Sequence, residues 1–191
     1  LLQECANSRD QVLLLLLAET GSVLGNSWES GTERTLIIKT INLCKLREDN
    51  ENNARAKNAE FRRAKISDAT FDILMFYMED YKELLREQKY LFINVSSDYA
   101  GEPFKVSGVY GDVTQAGGKR LVSKHLTYAE TLFCNERRKD GWKLELISQA
   151  LGHRNIENDH EISEYKDEEL IQVSDEFYSK HQAMYGIQDL L

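Results

Sequence analysis

Apolar and polar residues divide the chain into segments, and the densest apolar segment lies near its start. Residues 12–18 read VLLLLLA; Ser8, a common helix N-cap type, precedes them, and Gly21, a common helix stop, follows. This pattern predicts a helix within residues 1–20. Because apolar residues occupy nearly every side of that helix, we expect it to lie at the centre of the fold.

A pair of β-branched and apolar runs follows. TLIIKTINLCKL at 35–46 is separated by the polar REDNENN, at 47–53, from AEFRRAKI at 59–66. Two such runs joined by a polar turn are most simply an antiparallel β-hairpin.

A second helix is predicted in SDATFDILMFYMEDYKELLREQ, residues 67–88, with Ser67 as its N-cap. Its apolar residues recur at helical spacing, which predicts a stripe that faces the core rather than a cofactor. The stripe contains Phe71, Leu74, Met75, Met78, Leu84 and Leu85.

The remaining pattern adds mostly helices. KYLFINV predicts a short extended segment, and SSDYAGEP predicts a loop that ends at Pro103, the single proline. From Asp167 onward, acid in the first turn and spaced apolar residues predict a C-terminal helix. The predicted fold class is therefore mainly α with a small antiparallel β-sheet (α+β). Three further segments predict helices: FKVSGVYGDVTQA, SKHLTYAETLFCNERRKDG ending at Gly141, and WKLELISQALGH ending at Gly152.

Composition limits the class of protein. The 191 residues suit one domain, or one domain with a tail. The three cysteines are odd in number and show no metal-binding spacing, so neither a disulfide framework nor a zinc site is indicated, which favours a cytoplasmic setting. The apolar run at 12–18 is far shorter than the roughly 20 residues that cross a bilayer, so we expect no membrane association.

Charge gives a mixed indication about partners. The net charge of −8 argues mildly against a nucleic-acid partner, because phosphate binding depends on clustered Lys and Arg. Basic residues nevertheless concentrate at 34–65, 117–120 and 136–139, whereas acidic residues dominate 157–176. The domain can therefore be acidic overall and still present one basic face.

The segment QALGHRNIENDHEISEY, residues 149–165, places His153 and His160 ahead of Tyr165. It is rich in turn formers and charge, and it supplies only two isoleucines after its Ala-Leu start. A buried helix would need more apolar residues at three- and four-residue spacing. We therefore predict that this segment is presented at the surface.

Several motifs follow one another in a recognisable order: AETG, RRAKISDAT, HLTYAETLF and ISQALGHRNI, and then a tyrosine. Together they resemble the catalytic domain of the tyrosine recombinases, the phage integrase family, from about Ser8 to about Asp167. The resemblance implies a catalytic domain at 1–167 and a helical tail at 168–191, which in the family often packs on a neighbouring protomer. It also implies recombination or integration of a mobile element, by cleavage and rejoining of duplex DNA through a 3′-phosphotyrosine, without metal or nucleotide cofactor.

The resemblance assigns the nucleophile and its phosphate ligand. Tyr165 matches the nucleophilic tyrosine, whose hydroxyl must be activated because its free pKa is about 10. His153 matches the histidine of the LGH motif, which hydrogen-bonds the scissile phosphate. The two residues are about three positions further apart than is usual in the family.

A lysine and a second histidine complete the matched positions. Lys57 falls where the family has a hairpin lysine that protonates the leaving 5′ oxygen. A solvated turn lysine is an equally good interpretation of Lys57. His160 fits a surface histidine better than a second phosphate ligand.

The two arginines that the family uses as oxyanion donors have no match. Val23 stands near the first position, after AETG, and VSKHLTYAETLF places either Tyr128 or His125 at the second. Loss of one such donor typically costs about 100- to 1000-fold in rate, so we expect weak strand cleavage. Four arginines close in sequence could replace them in space: Arg120, Arg137, Arg138 and Arg154.

Three functions remain open at this stage. The first is a recombinase catalytic domain, an enzyme that transfers DNA strands. The second is a relative that keeps the fold and binds DNA or a sister recombinase without cutting, which the missing arginines favour. The third is a helical protein-interaction module, which the charge of −8 and the acidic C-terminal helix favour.

Overall fold

A computed structural model defines the fold for residues 2, 5, 7–21, 43–46, 62–86, 88, 90–96, 98–104, 131–151 and 167–181. Most of these residues are helical, as the sequence predicts. The predicted helix FKVSGVYGDVTQA, residues 104–116, lies almost wholly outside the described residues. The start of the predicted helix SKHLTYAETLFCNERRKDG, residues 123–141, also lies outside them.

The first helix, α1, runs from Ser8 to Thr20. Its N-cap is Asn7, not Ser8 as predicted: the Asn7 side-chain oxygen accepts a hydrogen bond of 2.9 Å from the Asp10 amide. Ser8 already lies in the first turn, and its hydroxyl donates to Asp80 instead. The predicted stop is confirmed, since Gly21 adopts the left-handed conformation (φ 62°) and its amide donates to the Leu17 carbonyl.

Helix α1 lies at the centre of the fold, as its apolar sequence predicts. Every residue from Val12 to Thr20 is buried, including Glu19, which is 2% exposed, and Thr20. A helix buried on all sides must satisfy its polar groups internally. Thr20 does so through its hydroxyl, which donates to the Leu16 carbonyl at 2.7 Å.

Two short strands pair beside α1. Strand β1, Leu43–Leu46, runs antiparallel to β2, Arg62–Lys65, with Leu43 opposite Lys65 and Leu46 opposite Arg62. The turn REDNENN between them lies outside the described residues. The end of β2 leads through the buried Ile66 into the second long helix.

Helix α2, Asp68–Asp80, starts at the predicted cap. The Ser67 hydroxyl oxygen accepts from the Thr70 amide at 3.2 Å, and a break at Tyr81 separates α2 from the short α3, Lys82–Leu85. The predicted stripe is wrong at Met75, which is 39% exposed. The stripe is confirmed at Phe71, Leu74 and Leu85, which are buried. Thr70, Ile73 and Tyr77, which the prediction left out, are also buried in α2, which packs against α1.

A bent segment closes the first core. An antiparallel bridge joins Ile93 to Pro103, where the sequence predicted an extended segment and a loop. Arg9 of α1 lies beneath this bridge: it donates to the Ile93 carbonyl at 3.2 Å, and its guanidinium carbon lies 3.9 Å from the Phe104 ring centroid. Together with the ion pair between Arg9 Nη2 and Asp10 Oδ1, at 2.7 Å, these contacts satisfy a buried cation.

A second core lies at the other end of α1. It is built from three helices: residues 131–139 (α4), Leu144–Ala150 (α5) and Asp167–Lys180 (α6). Gly141, at φ 88°, ends α4 as predicted. No helix within the described ranges is long and apolar enough to cross a membrane. The buried residues of this core are Phe133, Trp142, Leu146, Ile147, Leu151, Phe177 and Tyr178.

Candidate functional site

The four residues predicted to carry chemistry, Tyr165, His153, Lys57 and His125, lie outside the described residues. The structure instead describes the helices that flank the segment containing His153 and Tyr165. Leu151, at the end of α5, comes two residues before His153, and α6 begins two residues after Tyr165. The relative positions of those elements form the framework of the candidate site.

The end of α1 contacts the end of α5 directly. A Cβ atom placed on Gly21 would overlap Leu151 Cδ2 and would lie 3.1 Å from Phe133 Cδ1. Only a glycine permits this approach, and its left-handed φ also favours glycine. The AETG motif therefore meets the ISQALGHRNI motif in space.

The end of α1 is also bonded to the start of α2. The Glu19 carboxylate accepts hydrogen bonds from the Ser67 amide (2.9 Å), the Ser67 hydroxyl (2.6 Å) and the Thr70 hydroxyl (2.9 Å). Ser67 thus caps α2 and binds Glu19 with the same hydroxyl group. These bonds join the AETG motif to the RRAKISDAT motif.

Burial perturbs the Glu19 carboxyl group. Loss of solvation raises its pKa above the ordinary value of 4.5, although the hydrogen bonds from Ser67 and Thr70 and the nearby Arg137 guanidinium oppose the rise. A buried carboxyl surrounded by three donors and one cation is well suited to hold backbone elements together. It has no exposed surface with which to meet a substrate.

Arg137 of α4 lies close to the backbone of Glu19. Its Nη2 atom donates to the Tyr178 hydroxyl at 2.9 Å and lies 3.4 Å from the Glu19 carbonyl oxygen. The Tyr178 hydroxyl lies 3.1 Å from the Glu19 carbonyl oxygen and 3.3 Å from the Lys65 carbonyl oxygen, and can donate to either. One hydrogen-bonded group therefore links α1, β2, α4 and α6.

Aromatic rings enclose the Arg137 guanidinium on several sides. Its central carbon lies 3.6 Å from the Phe177 ring centroid, 4.7 Å from that of Phe133, 5.2 Å from that of Tyr178 and 5.4 Å from that of Trp142. Arg137 is 0% exposed, and its Nε and Nη1 atoms have no hydrogen-bond partner among the residues that the structure describes. We call Arg137 and these four rings the arginine cage.

The structure shows the surroundings of two of the four arginines that could replace the missing catalytic pair. Arg137 lies against the end of α1, but it is fully buried and cannot contact a DNA phosphate in this conformation. Arg138, the next residue, is exposed and lines an open groove on the outer face of α4. Arg120 and Arg154 lie outside the described residues.

Helix α6 has further attachments to the framework: Leu170 and Val173 pack on the second core, and Lys180 Nζ lies 3.5 Å from Asp140 Oδ2. Lys65 Nζ, at the end of β2, lies 2.8 Å from Asp175 Oδ1. The Lys65 side chain is only 11% exposed, whereas that of Asp175 is 52% exposed, so solvent screens the pair from one side. The position of α6 is thus set jointly by the cage and by β2.

Sequence reasoning overlooked the residues that join these elements. Glu19 carries a signal, since it is a charged residue directly after a fully apolar run, where a buried carboxyl needs partners. The sequence gives almost no sign that Arg137 is buried, because the charged run ERRKD is typical of a solvent-exposed helix surface. Within the segments that the structure describes, no group of three or more His, Cys, Asp or Glu side chains could hold a metal ion.

Comparison with known proteins gives a likeness in fold. No family model and no curated protein matches the chain. A crystal structure of XerA recombinase matches with a TM-score of 0.58 and 16% identity, over 94% of this chain and 59% of that one. A crystal structure of XerH site-specific recombinase bound to difH substrate, a pre-cleavage complex, matches with a TM-score of 0.58 and 11% identity, over 96% of this chain and 48% of that one.

Sequence identity to both recombinase chains is low, and this chain spans only part of each. At 16% and 11% identity, the likeness concerns the fold alone. The chain spans about three fifths of the XerA chain and about half of the XerH chain. The mostly helical architecture therefore resembles that of the two recombinase structures.

Proposed function

We propose that the chain is a DNA strand transferase domain that cuts and rejoins duplex DNA through a covalent 3′-phosphotyrosine. Its setting would be site-specific recombination or integration, in the cytoplasm of a bacterial, archaeal or phage-infected cell. The enzyme would work without metal or nucleotide, and copies of the chain would associate on DNA through the tail at 168–191.

The observation that carries this proposal is the convergence of the motifs at the end of α1. AETG, RRAKISDAT and ISQALGHRNI are far apart in sequence, yet Glu19 bonds to Ser67 and Gly21 packs on Leu151. Catalytic residues work as a set only when a rigid framework holds their segments together. The likeness of the whole fold to two recombinase structures points to the same function.

The proposed reaction assigns one role to each predicted residue. The Tyr165 hydroxyl gives up its proton to a water molecule as its oxygen attacks the scissile phosphorus and forms a P–O bond, while the bond from phosphorus to the 5′ oxygen breaks. Lys57 gives a proton to the departing 5′ oxygen, and His153 donates a hydrogen bond to a nonbridging oxygen. Rejoining reverses these steps, so no net oxidation or hydrolysis occurs.

His125 occupies the place of an arginine in this scheme. An imidazole can donate one hydrogen bond to a phosphate oxygen, whereas an arginine donates two in a fixed fork. Val23 supplies no donor at the first arginine position. We therefore expect slow cleavage, and the assay must detect adduct accumulation rather than rapid turnover.

A nicked duplex that loses its 5′ fragment after cleavage would trap the covalent adduct. We expect the wild-type protein to form a slowly accumulating adduct that gel electrophoresis detects, and Tyr165→Phe to form none. The matched control is Tyr99→Phe, which alters an exposed tyrosine elsewhere in the chain. An adduct that persists in Tyr165→Phe would remove Tyr165 from the role of nucleophile.

A DNA-binding relative that does not cut is the second candidate. The burial of Arg137 in the arginine cage favours it, because one of the possible replacement donors is withheld from the phosphate. This candidate predicts salt-sensitive duplex binding with no adduct. Absence of duplex binding at low salt would leave the third candidate, a helical protein-interaction module.

A further inference from the structure

We propose that copies of this chain bind one another head to tail, through an acidic face on α2 of one copy and a basic corner between α4 and α5 of the next. The acidic face consists of Asp72, Met75, Phe76 and Glu79, and the basic corner consists of Arg138, Lys139, Lys143 and Leu144. This contact is separate from the proposed association through the tail at 168–191. It does not depend on strand transfer.

The acidic face is an exposed apolar pair between two carboxylates. Phe76 is 55% exposed and Met75 is 39% exposed. Asp72 lies one helical turn before this pair and Glu79 one turn after it, so the four side chains project from the same side of α2. Both carboxylates are exposed, and α2 contains no Lys or Arg. The face is therefore apolar at its centre and negative at both ends.

The basic corner carries the opposite charge around one exposed apolar residue. Its three exposed cations, Arg138, Lys139 and Lys143, outnumber the one exposed carboxylate of this turn, Glu145. Leu144 follows Lys143 directly and is 61% exposed. The corner therefore matches the acidic face in design, with the sign of the charge reversed.

The exposed apolar side chains are concentrated on these two surfaces. Among the described residues, the exposed large apolar side chains are Met75, Phe76, Tyr99 and Leu144, and three of the four belong to the acidic face or the basic corner. Single exposed apolar residues are ordinary, but apolar centres flanked by opposite charges are complementary in both properties. Both surfaces are exposed in one molecule, so they do not cover each other. A second copy supplies the partner for each.

The charges on both surfaces can exchange partners at little cost. Glu79 lies 2.5 Å from Lys82, and Lys139 lies 2.5 Å from Glu136, each pair within one helix. The side chains of Glu79 and Lys139 are each 71% exposed, and such exposed pairs contribute little to stability. Ion pairs between copies can therefore replace them, while release of water from the apolar centres favours the contact.

Net charge selects this relative orientation of the two copies. Two chains that each carry a charge of −8 repel one another at long range, so close approach requires surfaces of opposite sign to meet. Because the contact joins two different surfaces, each bound copy still offers one more, and association continues to rings or filaments. The apolar area is small, so we expect a weak contact with a dissociation constant on the order of 0.1–1 mM.

The experiment measures sedimentation of the DNA-free protein up to about 1 mM, together with amide NMR spectra. Phe76→Lys removes the apolar centre of the acidic face and adds a cation, and Leu144→Ser removes the apolar centre of the basic corner. Each variant should associate about 10-fold more weakly than the wild-type protein, since one buried apolar side chain is lost. Tyr99→Ser, which alters the exposed apolar residue outside both surfaces, is the control and should associate like the wild-type protein.

An equimolar mixture of the two variants gives the sharpest result. Phe76→Lys keeps an intact basic corner, and Leu144→Ser keeps an intact acidic face, so one contact can form between them. The mixture should regain association but stop at the dimer, whereas the wild-type protein continues to larger species. In the wild-type protein, amide signals of 72–79 and 138–144 should shift with concentration, and roughly 0.5 M salt should reduce the shifts.

Three results would overturn the proposal: a wild-type protein that stays monomeric up to about 1 mM, variants that associate like the wild-type protein, or a mixture that associates no better than either variant alone. Phe76 and Leu144 are exposed, so both variants should keep the wild-type unfolding midpoint. Glu79→Lys, at a second exposed position of the acidic face, should weaken association as well. These measurements involve neither DNA nor adduct, so a failure of the proposed function leaves this contact intact, and the reverse also holds.

Discussion

At the scale of single residues, the end of α1 is held by two groups with opposite requirements. Glu19 needs hydrogen-bond donors, because its carboxyl is buried, and Ser67 and Thr70 supply them. Gly21 needs the absence of a side chain, because Leu151 and Phe133 occupy that space. Substitution of Glu19 should therefore report the electrostatic contribution to stability, and substitution of Gly21 the steric contribution.

Gly21→Ala should lower the free energy of unfolding by about 2 kcal/mol or more, because it combines overpacking with a left-handed backbone. Gly141→Ala is the matched control: Gly141 also has a positive φ (88°), but nothing lies within 4 Å of an added Cβ. It should cost only the backbone part, about 1 kcal/mol. Equal losses in a denaturant titration would refute the contact between α1 and α5.

Glu19 should make stability depend on pH. Because burial raises its pKa in the folded state above 4.5, the protonated form favours folding. Its contribution is fully present below about pH 4.5 and is lost as pH rises through the folded-state pKa. Relative to Glu19→Gln, which cannot titrate, the wild-type protein should lose up to about 1.4 kcal/mol per pH unit in that window.

The measurement is chemical denaturation of both proteins from about pH 4.5 to 8. Subtraction cancels titrations that the two proteins share, and the cost of replacing the carboxyl group by an amide remains only as an offset that does not change with pH. A difference that is independent of pH would show that the hydrogen bonds from Ser67 and Thr70 cancel desolvation, and one that favours the wild-type protein as pH rises would show that they outweigh it.

At the scale of elements, Phe177 and Tyr178 attach helix α6 to the second core and to the Arg137 guanidinium. Phe177→Ala should destabilise the protein by about 3 to 5 kcal/mol, the usual cost of deleting a buried phenylalanine, because it opens the arginine cage. Phe76→Ala is the control, since Phe76 on α2 is 55% exposed. It should change stability by less than about 1 kcal/mol in the same thermal and denaturant assays.

Helix ends could be predicted from the sequence wherever the signal is local. Ser67 caps α2 and Gly21 ends α1 as predicted, since a capping hydroxyl and a left-handed glycine act within four residues. The start of α1 was wrong by one residue because Asn7 and Ser8 are both good caps, and the sequence offers no rule for choosing between them.

Packing could be predicted less well, because it depends on partners distant in sequence. Met75 matches the apolar stripe of α2, yet it is 39% exposed, since α1 covers the neighbouring face. Arg137 looks like a surface cation until Phe177 and Tyr178, some forty residues later, enclose it. The motif pattern predicts which segments meet, whereas the bonds that join them become visible only in three dimensions.

At the scale of the whole molecule, acidic net charge and a DNA partner have to be reconciled. The charge of −8 repels a polyanion at long range, so binding would depend on a local basic face. The two DNA-binding candidates therefore differ from the protein-interaction module most clearly in their response to salt.

Duplex affinity should fall steeply with ionic strength. If about six phosphates are contacted, the association constant should drop roughly 1000-fold between about 50 and 200 mM salt. Fluorescence anisotropy with a labelled duplex measures the slope, and an uncharged peptide-backbone analogue of the duplex is the control ligand. Binding that does not respond to salt would argue against a phosphate-reading surface.

The hydrogen bond between Tyr178 and the Glu19 carbonyl also constrains how the protein is made. The two residues are 159 positions apart, and α1 emerges from the ribosome long before α6. At about 5 to 20 residues per second, the apolar surface of α1 waits roughly 10 to 30 seconds for its last partner. The nascent chain should therefore be a client of ribosome-associated chaperones throughout synthesis of the domain.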